Sequence, residues 1–146
     1  MEYIVKKPQS QVEFESYYNL RFEVLRKSWG QAKGSEKDQE EDIAEHAMIW
    51  DDKLGAIAVG RLQKIDSSTG QIRFMAVHPD FQSKGLGKKV LNFIEEKARE
   101  MKIEKIILQA RENAIPFYNA NGYLLVGKSH LLFGSIQHYK MIKNLS

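Results

Sequence analysis

The 146-residue chain has no cysteine, which removes disulfides, thiolate metal sites and cysteine nucleophiles together. Any catalyst must be built from other groups. No stretch approaches the ~18 consecutive apolar residues of a membrane helix. The opening MEYIVKKPQS has no basic segment leading into an apolar core, so no membrane association is expected and a cytoplasmic location is the simplest expectation. A large charge surplus is lacking as well: 22 Lys and Arg face 19 Asp and Glu, leaving +3. Basic residues alternate with acids except around Lys84 to Lys89, so the broad basic stripe of a nucleic-acid surface is missing and no nucleic-acid partner is expected. The four histidines show no HxH or HExxH spacing, which gives no case for a metal. Pro and Gly punctuate turns, and no linker or repeat divides the chain. One domain over residues 1–146 is expected, long enough to bury a core unaided.

What is present is an alternation of strand and helix signals. EYIVKK, closed by Pro8, is a short strand candidate. Phe14, Tyr18, Phe22, Leu25 and Trp29 step by three or four and predict a helical face ending at Gly30. Residues 30–45, GQAKGSEKDQEEDIAE, are polar and acidic and predict a loop or a loosely held helix. HAMIW, an Asp51-Asp52 turn, LGAIAVGRL and QIRFMAV predict successive strands. From Gly87 to about Met101, Leu86, Val90, Ile94, Ala98 and Met101 share one side of an amphipathic helix. IEKIILQA is the next strand. NAIPFYNANGY carries Pro116 in a first helical turn with Asn121-Gly122 as its stop, and two strands around a loop close the chain. This order predicts an α/β or α+β domain around a mixed sheet.

The densest chemical signal is QSKGLGKK at the junction of a strand and a helix. Gly85 and Gly87 let backbone approach a ligand closely, and the first N–H groups of a helix are unsatisfied and point outward. Lys84, Lys88 and Lys89 add positive charge there. Such a loop suits a phosphate; a tight turn needing positive φ is the alternative. A Walker A loop is absent, and Val90 fills the third glycine position of a dinucleotide fingerprint.

The pattern Gln82-x-x-Gly85-x-Gly87, preceded by RFMAV and His78-Pro79 and followed by KIILQARENAIPFYNANGY, resembles the GNAT superfamily of N-acetyltransferases. About residues 45–143 share the resemblance. It implies a central mixed, mostly antiparallel sheet of six to seven strands flanked by helices, with acetyl-CoA as cosubstrate and a primary amine of a small molecule or peptide as acceptor. A non-catalytic CoA sensor or interaction module of the same fold is the alternative. Residues Gln82, Ser83, Lys84, Gly85, Leu86, Gly87 and Lys88 would then hold the pyrophosphate. A bulge in the preceding strand would turn the backbone of Met75 toward the acetyl oxygen and that of Val77 toward the pantetheine arm. Asn113 would contact the same arm, or else cap a helix. Dimers are common among proteins resembling this one, and the late strands or a sheet edge could supply one.

Tyr118 matches the position of a tyrosine beside the thioester sulfur, where it would act as general acid; the alternative is a core aromatic packed with Phe117 and Tyr123. A phenol near pKa 10 gives a proton to a thiolate near 8.5 only uphill, by roughly 2 kcal/mol. A hydrogen bond to the sulfur, or a lowered pKa, would meet this difficulty. An amine with a pKa near 10 is neutral in about one molecule per thousand at pH 7, so a base is expected. His46 and His138 are the leading candidates because an imidazole titrates near neutrality and both lie on predicted strands. Glu41, Asp42 and Glu45 are the acidic candidates, with solvated loop charges as the alternative, and His78 beside Pro79 is taken as structural. On the acceptor side stand Tyr17, Tyr18, Arg21, Arg26 and Trp29. Arg21 would clamp a carboxylate or face water. The acids from Glu36 to Glu45 would favour a cationic acceptor if they face the cleft.

Overall fold

The computed structural model describes residues 3–145; Met1, Glu2 and Ser146, the ends of the expected strand and domain, lie outside them. Among the described residues, seven strands form one sheet in the order β1-β2-β3-β4-β5-β7-β6. They are β1 (Val5–Lys6), β2 (Glu45–Asp51), β3 (Gly55–Lys64), β4 (Thr69–Val77), β5 (Lys105–Arg111), β6 (Leu124–Leu132) and β7 (Ile136–Asn144). All neighbours pair antiparallel except β4 and β5, so the expected mixed, mostly antiparallel sheet is found.

The helices are α1 (Gln11–Leu25), α2 (Leu86–Glu100) and α3 (Ile115–Ala120). A capping box starts α1: Ser10 Oγ accepts from the Glu13 N–H and Glu13 Oε1 accepts from the Ser10 N–H. Its last turn passes into a 3-10 turn, Lys27–Trp29, which Gly30 ends in a left-handed conformation. The side of α1 that buries is not the predicted stripe. Tyr17, Leu20 and Arg21 face inward, while Phe14, Tyr18 and Phe22 flank them and Trp29 is exposed. An arginine contributes to the inner side because the sheet beneath supplies partners for it. Of the expected loop or helix over residues 30–45, residues 30–44 form a succession of turns with no helix, and Glu45 opens β2.

α2 follows its sequence pattern. Leu86, Val90, Ile94 and Ala98 are buried against Ala47, Ile49, Leu62 and Ile72, forming the larger core on one side of the sheet. A smaller core beneath α1 joins Tyr17 and Leu20 to Met48, Val59 and Ala76. Gly60 on β3 permits the close approach of α2: a Cβ there would stand 2.5 Å from Met75 Sδ and 2.8 Å from Ile94 Cδ1. α3 begins with Pro116 in its first turn, where its missing N–H costs nothing, and ends at Asn121-Gly122.

Candidate active site

Parallel pairing between β4 and β5 runs from Thr69 opposite Lys105 to Ile72 opposite Leu108 and stops. β4 continues to Val77 and β5 to Arg111 without pairing to each other, which opens the sheet at its middle. The cause lies on β4. Val59 and Arg61 on β3 stand opposite Ala76 and Arg73, so β4 holds one residue more than β3 over this interval. Phe74, with φ of 58°, takes up the bulge. Two consecutive side chains, Arg73 and Phe74, then lie on the α1 side: Arg73 Nη1 reaches Asp38 Oδ2 at 2.8 Å, and the Phe74 ring packs 4.3 Å from the Arg21 guanidinium. Met75 returns to the α2 side without a partner on β3.

β4 leads through a 3-10 turn, Pro79–Phe81, into the glycine loop. Ser83 (φ 64°) and Gly85 (φ 81°) are both left-handed, an arrangement that gathers backbone N–H groups around one concavity. Gly85 occupies the N-cap of α2 and no side chain caps that end, so the first-turn N–H groups await an acceptor. A Cβ on Gly85 would meet nothing within 4 Å, so the space above the loop is open. Gln82 Nε2 donates to Val77 O at 3.2 Å, tying the loop to the strand end. Lys84 Nζ lies 5.7 Å from the Phe81 ring centroid, and Lys88 is exposed in the first turn. Lys89 is committed elsewhere, to Tyr3 O. Open backbone, an uncapped helix start and two free lysines form a donor set that fits a pyrophosphate.

Tyr118 on α3 is buried between Phe117 and Tyr123, with ring centroids at 5.1 and 5.7 Å. Phe117 in turn packs over Gly87, where an added Cβ would lie 3.3 Å from its Cζ, so α3 is seated against the start of α2. The Tyr118 hydroxyl has no hydrogen bond among the described residues, and burial pushes its pKa above the ordinary phenol value. Asn113 lies exposed in a 3-10 turn, Glu112–Ala114, and caps neither that turn nor α3. The capping alternative is thereby removed and its amide is uncommitted.

The two histidines differ. His46 is enclosed: Nε2 lies 2.8 Å from Glu41 O and Nδ1 lies 2.8 Å from Tyr17 Oη. A carbonyl only accepts, so Nε2 carries the proton and the Nδ1 lone pair is taken by the tyrosine. Burial lowers its pKa, with the Arg21 and Arg61 charges adding to the effect. The expectation of His46 as a base therefore meets a ring with both nitrogens committed inside the protein. His138 sits on β7 opposite Arg111, its Nδ1 3.1 Å from Ile136 O, and its ring stacks on His130 at 4.7 Å. The proton again goes to the carbonyl, but here Nε2 keeps a lone pair with no partner among the described residues. Burial, together with His130, Arg111 and Arg26, lowers the His138 pKa and keeps the ring neutral at pH 7.

Two acids of the run, Asp38 and Glu41, are taken up by the protein's own arginines. Glu41 Oε2 accepts from Arg21 and Arg61 at 2.9 Å each, and Asp38 accepts from Arg61 at 2.6 and 2.9 Å. Arg61 also donates to Gln63. Arg21 neither faces water nor opens to a ligand: it is wholly buried and bonded to Tyr17, Glu41 and Glu36 O. Arg61, Arg73 and Phe74 carried no signal in the sequence, since only the bulge brings them beneath the loop.

Against known proteins, the family model described as Acetyltransferase (GNAT) family matches residues 14–123. The chain belongs to that family and is an acyltransferase of the N-acetyltransferase kind. It is 26% identical over 144 residues to the uncharacterized N-acetyltransferase YjcF of Bacillus subtilis, covering 99% of this chain and all of that one. The crystal structure of an aminoglycoside 6'-N-acetyltransferase complexed with coenzyme A shares the fold with a TM-score of 0.81 and 14% identity, covering 98% and 97% of the two chains. A GNAT family acetyltransferase from Elizabethkingia anophelis with acetyl-CoA bound gives 0.77 and 15%, covering 97% of each.

Proposed function

We propose that the protein moves an acetyl group from acetyl-CoA to a primary amine by direct attack, with the site assembled at the opened β4–β5 edge. The observation that carries this reading is the continuity of the bulge at Phe74, Met75 without a register partner on β3, and the uncapped α2 terminus along one stretch of chain. Acetyl-CoA supplies the activated acetyl thioester. The N–H groups from Ser83 to Lys88, with Lys84 and Lys88, hold the pyrophosphate; Val77 and Asn113 hold the arm. The Met75 N–H, beside the bulge, donates to the carbonyl oxygen as negative charge grows there. His138 Nε2 takes the proton from the ammonium form of the acceptor. Tyr118 Oη stays protonated throughout and stabilises the departing sulfur by a hydrogen bond, which suits a phenol whose pKa is raised and not lowered; as the C–S bond breaks, the sulfur takes the second proton of the attacking nitrogen and leaves as the thiol. His46 positions: it joins Tyr17 to the loop at Glu41. A cytoplasmic setting, where acetyl-CoA is made and used, and a dimer formed at the exposed β6 edge belong to the same reading.

Calorimetric titration with acetyl-CoA, beside the Gly85→Asp variant, tests it. Gly85 holds φ of 81°, so any side chain there is strained, and a carboxylate would repel the pyrophosphate. The expected result is micromolar binding that the variant loses. Equal binding by both proteins would remove the loop from the cofactor site.

A further inference from the structure

Five arginines converge where the β4–β5 opening meets the end of α1: Arg21, Arg26, Arg61, Arg73 and Arg111. Four guanidinium groups surround the single Phe74 ring, at 4.3 Å (Arg21), 4.8 Å (Arg73), 4.9 Å (Arg61) and 5.5 Å (Arg26). Arg21, Arg61 and Arg73 each have a carboxylate partner in Asp38 or Glu41. Arg26 and Arg111 have none among the described residues. Glu36, the third acid of the cluster, directs Oε1 to the Gly34 N–H and makes no ion pair. Three acids against five arginines leave a surplus of two positive charges, and Arg26 and Arg111 are the two arginines without a carboxylate partner among the described residues.

Both are held in place. Arg26 is nine-tenths buried, with Nε donating to Ser35 O and Nη1 to Leu25 O, while Nη2 has no partner. Phe133, at the turn between β6 and β7, covers it at 5.3 Å. Arg111 ends β5 directly opposite His138 and lies 5.7 Å from the Trp29 ring. Like charges brought together in a half-buried place cost free energy unless an anion completes the set. The unpaired guanidinium edges stand beside the histidine whose free nitrogen is the base.

We propose that the acceptor amine also carries a carboxylate or phosphate, and that Arg26 and Arg111 bind this anion while the amine lies at His138. This rests on the reading of the cleft given above and adds the acceptor's class to it. It reverses the preference that the acidic run suggested, because Asp38 and Glu41 are already paired with Arg21, Arg61 and Arg73.

The test titrates the CoA-loaded protein, in which the phosphate loop is occupied, with N-acetyl-β-alanine, N-acetyl-2-aminoethyl phosphate, the neutral N-acetylethanolamine and the cationic N-acetylputrescine. At least one anionic compound is expected to bind about 10- to 100-fold more tightly than the neutral and cationic ones. The tighter of the two anions identifies carboxylate or phosphate. Arg111→Gln should lose that preference with neutral binding unchanged, and Arg111→Lys should recover part of it. Arg26→Gln should act likewise if its melting temperature stays near that of the parent; Arg111, partly exposed and without a carboxylate partner among the described residues, keeps the test decisive if it does not. Absence of anion binding at 10 mM, equal or tighter binding of the cation, or an Arg111→Gln protein indistinguishable from the parent would each overturn the proposal. Failure to take up CoA would instead overturn the cofactor assignment, and the same four titrations on the free protein would still report on the arginine pair.

Discussion

Replacing Asp38 by Asn keeps the shape of the side chain and removes its charge. Asp38 holds the loop after α1 onto the sheet: Oδ1 lies 2.6 Å from Arg61 Nη1 and Oδ2 lies 2.9 Å from Arg61 Nη2 and 2.8 Å from Arg73 Nη1. Arg61 has no exposed surface, so the change leaves a buried cation short of its main counter-ion. Breaking a buried pair from one side costs about 3–5 kcal/mol. Glu41 and Gln63 remain bonded to Arg61 and a quarter of the Asp38 side chain faces water, so about 2–3 kcal/mol is expected, or a fall in Tm of roughly 5–10 °C for a chain of this size.

The pH dependence gives the sharper check. Burial by itself would raise the Asp38 pKa, but hydrogen bonds from Arg61 and the Glu40 N–H, with the charges of Arg61 and Arg73, outweigh it and hold the group at about 2, below the ordinary 3.8. A depressed carboxylate pKa contributes stability that is complete above the unfolded value and is lost as pH falls toward the folded value. The shift corresponds to roughly 2.4 kcal/mol as a ceiling, reduced by solvent screening at a partly exposed site. Urea unfolding of both proteins at pH 7, 4 and 2.5 should show the Asn variant less stable at pH 7 and the gap shrinking below pH 4. A gap that is constant with pH, or smaller than about 0.5 kcal/mol at pH 7, would refute the assignment of Asp38 as the tie between loop and sheet.

Tyr118→Phe should lower the maximal rate of thiol release by about 10- to 100-fold while leaving acetyl-CoA affinity nearly unchanged. An unaffected rate would show that Tyr118 only packs. Because its pKa is raised, no loss of rate from phenol ionisation is expected up to pH 10 in the parent. His138→Gln should remove the acidic limb of the pH–rate profile. In the parent that limb lies below pH 6.5, since the neutral ring is the active form and its pKa is depressed, and activity falls as pH drops through it. A parent profile flat down to pH 5, or one unchanged by the substitution, would point to another base.

The parts of the fold legible in sequence are those set by neighbours along the chain. The spacing of Leu86, Val90, Ile94 and Ala98 dictates which side of α2 buries, whatever lies opposite. Gly85 is needed because its own backbone is left-handed, and Asn121-Gly122 ends α3 by local conformation. The glycine loop belongs to this class, so the residues of the proposed cofactor site could be picked out without coordinates.

The acceptor side belongs to the other class. No propensity places a phenylalanine at φ of 58°; Phe74 adopts it because β3 and β4 differ by one residue between fixed partners. The same bulge sets Arg73 and Phe74 beneath α1, turning the aromatic stripe of that helix aside and drawing Arg21 inward in its place. Whether Asp38 and Glu41 attract a cationic substrate or neutralise the protein's own arginines depends on residues 20 or more positions away. Charge in a sequence is counted by sign, whereas its effect depends on distance and burial. The chain by itself therefore determined an acetyltransferase fold and the loop proposed as a pyrophosphate cradle, and only the meeting of α1, the bulged strand and the end of β5 decided which charges are left without a partner.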